Sequence, residues 1–142
     1  MVFIRNNVPS LKNSKVKTSR GVFPSKTVSK YLRSHGIASY SASKKIVEGY
    51  KTIPMTFPHE ELRALLASES YPIIIGFHFV RDSERSFDFN NVTQIIMDLM
   101  TAYDIIPDDS MRYVIPCCTT INGRYYTVDK ENPGVFISRI DG

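Results

Sequence analysis

Between Ile73 and Cys118 the spacing of the apolar residues changes twice, and few architectures accommodate both changes. Ile73 to Val80 is almost continuously apolar, the pattern of a central strand covered on both faces. From Val92 the period turns helical, with Val92, Ile95, Ile96, Leu99, Met100 and Tyr103 three or four residues apart. Met111 to Cys118 is strand-like again, with a kink at Pro116. The order is strand, turn, helix from about Asn91 to Tyr103, turn, strand.

Both turns are acidic. Asp88 and Asn90 precede the helix, and Asp108-Asp109 follow Pro107. If the backbone is still extended over 87–90, Asp88 and Asn90 share one face and Phe87 and Phe89 the other. The helix is roughly 20 Å long at about 1.5 Å per residue. Six extended residues, Asp104 to Asp109, span about the same length, so Asp109 can return beside Asp88. The same residues also suit a plain structural role. Asp and Asn oxygens accept the unpaired N–H groups of a first helical turn, and Asp-Asp is a common solvated turn.

This block resembles the core of the RusA family of Holliday-junction resolvases. That family's signature is Asp-x-Asp-Asn, a helix with an internal Asp, then Asp-Asp before a strand. The matching positions are Asp88-Phe89-Asn90-Asn91, Asp98 and Asp108-Asp109. The resemblance covers about a quarter of the chain strongly. It departs at two points: the second aspartate of the first motif is Asn90, and the lysine that the family needs for cleavage falls on Gln94. The segment Lys12-Asn13-Ser14-Lys15, after Pro9-Ser10, is similar to one near the start of many RusA-like proteins.

The resemblance implies an α+β fold (mixed α/β, two-layer), a small mixed sheet with two or three helices, in one RusA-like domain over 1–142. It implies a Mg²⁺-dependent endodeoxyribonuclease, with Mn²⁺ as a substitute, acting as a homodimer on branched DNA in recombination or repair. Asp88, Asn90 and Asp109 would be catalytic, and the metal would be held among Asp88, Asn90, Asp108 and Asp109. Mg²⁺ takes one or two carboxylates plus substrate phosphates, and bound metal lowers the pKa of an attacking water. Asp98 is expected to accept a structural hydrogen bond. The two departures leave a second expectation, a weakened relative that binds DNA without cutting it. A third is an unrelated α+β interaction module.

Charge is unevenly distributed. Residues 1–51 carry eleven Lys/Arg and one acid, whereas 52–142 carry seven and thirteen. A basic first third beside acidic turns suits a polyanion held next to a divalent cation. Lys12, Asn13, Lys15, Lys26, Lys30 and Gln94 are the candidate DNA contacts. Lys26, Lys30 and Arg33 form one stripe of a helix expected over 26–34, with Ser25 as its cap.

The rest of the chain is more ordinary. Residues 1–5 are read as a strand, Asn6 to Arg20 as a loop, and Gly21-Val22-Phe23 as a short strand. His35 to Thr56 is read as a loop or mobile excursion. A helix follows Pro58 with Leu62, Leu65 and Leu66 inward. Asn122-Gly123 signals a hairpin returning through Tyr125 to Val128, and Gly134 to Ile140 a last strand. His35, His59 and His78 are scattered, so none pairs as a metal ligand, and Cys117-Cys118 are adjacent without zinc spacing. Neither a signal peptide nor a membrane-length apolar run is visible, and the reading is a cytoplasmic protein with no membrane partner.

Overall fold

A computed structural model describes residues 1–10, 15–18, 21–24, 26–35 and 57–140. Its elements are β1 (Val2–Arg5), β2 (Lys15–Thr18), β3 (Gly21–Pro24), α1 (Lys26–Ser34), α2 (His59–Leu66), β4 (Ile73–Arg81), α3 (Phe89–Ala102), β5 (Val114–Cys118), β6 (Thr127–Val128) and β7 (Gly134–Arg139). This is a small α+β fold with a mixed sheet and three helices among the described residues.

The sheet order is β1-β7-β4-β5, with β6 continuing along β4. β7 is antiparallel to both neighbours, and β5 and β6 are parallel to β4. The register assembles one apolar face. Ile4, Val135 and Phe79 lie in one row across three strands, and Val2, Ile137 and Phe77 in the next. Ile73 pairs with Val114 at the far end. All are buried, in one cluster with Leu32 of α1, Leu62 and Leu66 of α2, and Val92, Ile96 and Leu99 of α3. Each such side chain contributes about 1.5–3 kcal/mol by leaving water.

β4 is buried on both faces, as its unbroken apolar run requires. On the second face, His78 lies near Phe136, which packs against Phe3. At Gly76 a Cβ would come within 2.3 Å of Thr119 Cγ2 and 2.7 Å of Ser138 Oγ, so only glycine lets this crossing close. Pro116 is exposed on β5, where a missing N–H costs little at a sheet edge.

Three readings are corrected. Lys15–Thr18 is not loop but a strand paired antiparallel with β3. The helix begins at Phe89, so the extended backbone that would have put Asp88 and Asn90 on one strand face is absent. Asn122 and Gly123 do form the left-handed turn (φ 52° and 76°), closed by an Ile121–Arg124 bridge. The chain after it, however, does not return along β5. It continues as β6, parallel to β4, because β5 already fills that edge only as far as Phe77. The excursion read over His35 to Thr56 lies, from residue 36 on, outside the described residues, as does the Ser25 cap. No described helix is long and apolar enough to cross a membrane.

Candidate functional site

Asp88 is the N-cap of α3. Its backbone is extended, and its Oδ1 accepts the Asn90 N–H at 2.8 Å. Its own N–H donates to Ser10 Oγ at 2.9 Å, tying the turn to the segment after β1. Phe89 and Phe87 hold the turn from beneath, Phe89 against Phe77 and Phe79, Phe87 against Phe79. The carboxylate is left exposed above an apolar anchor.

The far end of α3 is fixed differently. Asp104 takes a left-handed conformation (φ 56°), and the Ile105 N–H closes on the Met100 carbonyl at 2.8 Å. The guanidinium of Arg63, from α2, donates to the Tyr103 and Asp104 carbonyls, a cation at a helix C-terminus. Ile105 and Ile106 are buried, so the chain turns back tightly rather than as a free extended span.

That return brings Asp109 onto the helix. Gln94 Nε2 donates to Asp109 Oδ2 at 2.6 Å and to Asp98 Oδ1 at 3.0 Å. Gln94 is five residues into α3, about 7–8 Å along its axis. Asn90, Gln94 and Asp98 are four residues apart and form one polar stripe. Asp109 therefore docks one turn above Asn90, and Asp88 closes the stripe below. Among the described residues no hydrogen bond joins Asp88 to Asp109.

Asp88, Asn90 and Asp109 could contribute oxygen ligands to a hard cation. The oxygens are hard, and each carboxylate keeps one that the bonds above do not use, Asp88 Oδ2 and Asp109 Oδ1. Asn90 offers an amide carbonyl. Two carboxylates meet the minimum for a cation completed by substrate phosphates. Among the described residues no three His, Cys, Asp or Glu side chains gather as a self-sufficient metal cage. Asp108 is exposed beside Asp109. Asp98 accepts a hydrogen bond from Gln94, the structural role expected of it.

Of the candidate DNA contacts, Gln94 lies in this cluster, and Lys30 is exposed on α1 with Arg33. Lys15 falls on β2 and Lys26 opens α1. Lys12 and Asn13 lie outside the described residues. Sequence reasoning missed the Gln94 bridge between Asp98 and Asp109. Its trace was the four-residue spacing of Gln94 and Asp98.

Cysteine chemistry is unsupported. Both thiols are free, and burial, then Cys117, pushes the Cys118 thiol up, away from the reactive thiolate. His78 is consumed structurally, Nδ1 at 2.9 Å from the Thr119 carbonyl and Nε2 at 2.7 Å from Thr127 Oγ1. Comparison with family models, with curated proteins and with solved structures finds no match to this chain.

Proposed function

We propose that this chain is a RusA-like endodeoxyribonuclease that cuts branched DNA with Mg²⁺ or Mn²⁺, as a homodimer in a cytoplasmic setting. The observation that carries the reading is the docking of Asp109 on Gln94. It brings an acid of the second turn onto the helix that Asp88 of the first turn caps. Asp88, Asn90 and Asp109, with Asp108 alongside, would hold the cation. The bound ion would polarise the scissile phosphate and lower the pKa of the attacking water. Asp88, fixed as a cap, presents its carboxylate without reorganising. Gln94 positions Asp109 through a neutral amide. Two-fold symmetry in a dimer suits a four-way junction, one site per nicked strand.

A second reading, binding without cleavage, is favoured by the same amide. Gln94 already spends its donors on two carboxylates and brings no charge to a phosphate.

The deciding experiment is nicking of a synthetic four-way junction with Mg²⁺ or Mn²⁺, in wild type and Asn90→Asp. The variant restores a carboxylate beside the cation, which a hard ion prefers to an amide oxygen. Carboxylate repulsion in the metal-free protein costs stability that metal binding relieves. A larger Mg²⁺-induced rise in Tm and faster nicking are expected in the variant, both removed by EDTA. If neither form nicks and Mg²⁺ stabilises the variant no more than wild type, the non-cleaving reading replaces the first.

A further inference from the structure

A polar recess near the acidic turn has the opposite charge. A cavity of about 530 Å³ lies between the segment after β1, the first turn of α1 and the β4–α3 connection. Its wall carries Arg81, Arg85 and Lys130 against one acid, Asp82, with Ser10 and Thr27 as hydroxyl donors. The volume is in the range of sites that enclose small molecules.

Arg81 is what makes this a built site rather than a solvated groove. The residue is only 7% exposed. Its guanidinium lies 4.7 Å from the Phe87 ring centre, and Nη1 donates to the Val8 carbonyl. Those two contacts fix its plane, and the guanidinium carries five donors in all. Burying a cation is costly, and nearby negative charge offsets that cost. Asp82, the acid acting on it, has its N–H held by Asn7 Oδ1 at 3.1 Å. The competing acid beside Lys130, Asp129, is turned to its own backbone and accepts the Glu131 and Asn132 N–H groups. Thr27 lies in the first turn of α1, where helix N–H groups favour negative charge. A planar fork, a mobile ammonium and hydroxyls converging on a cavity are the donors that phosphate oxygens take.

We infer that this cavity is a phosphate-binding site, with Arg81 as its fixed anchor and Arg85 and Lys130 as its outer cations. Ser10 belongs to its wall and also accepts the Asp88 N–H, so the cavity adjoins the acidic turn. The phosphate is either a nucleic-acid backbone group next to the acidic stripe or a small free phosphate ester. Only the backbone alternative rests on the nuclease reading.

The test uses the full chain in EDTA, so that metal and cleavage play no part. Wild type and Arg85→Ala/Lys130→Ala, both exposed positions, are titrated with inorganic phosphate against chloride at equal ionic strength, with Tm as the readout. DNA affinity is measured in parallel by fluorescence anisotropy across a salt series. Wild type is expected to be stabilised saturably by phosphate and not by chloride. The double variant should need at least about ten times more phosphate, as the loss of two charge-assisted contacts implies. A salt slope lower by about two for DNA in the variant would assign the cavity to the backbone. An unchanged slope with a lost phosphate response would assign it to a free phosphate ester. A wild type that responds equally to phosphate and chloride, or a double variant with an unaltered phosphate response, overturns the site. Failure to nick junctions leaves the phosphate response untouched, so the two readings fail separately.

Discussion

His78 and His35 are both fully buried, and they mark two regions built on different terms. In the sheet, His78 uses both ring nitrogens. A carbonyl can only accept, so Nδ1 carries the proton toward Thr119, and Nε2 accepts from the Thr127 hydroxyl. At the end of α1, neither ring nitrogen of His35 has a partner within hydrogen-bond distance among the described residues, apart from the weaker pull of the Arg5 backbone, and the Tyr31 hydroxyl beside it is equally unmet. Its ring packs 4.6 Å from Tyr31 and 6.0 Å from Phe57, while its carbonyl accepts from the Tyr103 hydroxyl. On the α3 side Asp88 on Asn90, Gln94 on Asp98 and Asp109, and Arg63 on the helix end follow the first pattern, and the buried Thr93 hydroxyl is the exception among the described residues. The α1 side follows the second, with His35 and Tyr31. Where polar groups are paired, the geometry is fixed in advance. Where they are not, a proton or a ligand changes the energy.

Acid should separate the two regions most strongly. Burial pushes His35 down to about 4, with the Arg5 backbone opposing. The unfolded chain takes up that proton near the ordinary value of about 6.5. Between these values the unfolded state holds more protons, so stability is full above about pH 6.5 and falls as pH drops toward 4. The contribution lost is about 3 kcal/mol. Urea unfolding at a series of pH values should show this slope in wild type and a flatter one in His35→Phe, which keeps the aromatic packing. Equal slopes would mean that the ring is solvated in the native state.

In the paired region the corresponding break is Thr127→Val. It leaves Nε2 of His78 buried without a donor, at a cost of about 1–3 kcal/mol. The double variant with His78→Leu should recover part of that loss, since removing both partners leaves nothing unsatisfied. A single-variant loss below about 0.5 kcal/mol would mean that water replaces the hydroxyl.

Asp88→Ala gives the smallest expected effect, about 1 kcal/mol from the lost cap. Its value lies in a second readout. Asp88→Asn keeps an acceptor oxygen for the Asn90 N–H and should restore most of that stability. If Asp88 also holds a cation, Mg²⁺ stabilisation should be lost in both variants. Retained Mg²⁺ stabilisation in Asp88→Asn would reduce Asp88 to a cap alone.

What the chain carries locally was legible. The apolar strand from Ile73 to Val80, the helical stripe from Val92 to Tyr103, the leucines of α2 and the Asn-Gly turn are each stated by neighbours in sequence, because period and turn chemistry are short-range properties. The acidic residues at both ends of α3 were legible for the same reason. The docking of Asp109 on Gln94 was not. Whether Asp109 reaches Gln94 depends on Ile105 and Ile106 being buried and on Arg63 of α2 holding the helix end, contacts across some forty residues. The path after Gly123 was decided by which edge of β4 stayed open, and Lys15–Thr18 became a strand because β3 was there to pair with it. In the sequence Arg81 simply follows the apolar run and precedes Asp82, with nothing to mark it as buried. Only the packing of Phe87 beneath it and Val8 beside it makes it a buried cation facing a cavity, because burial is set by what the whole fold brings near a residue and not by the residues next to it.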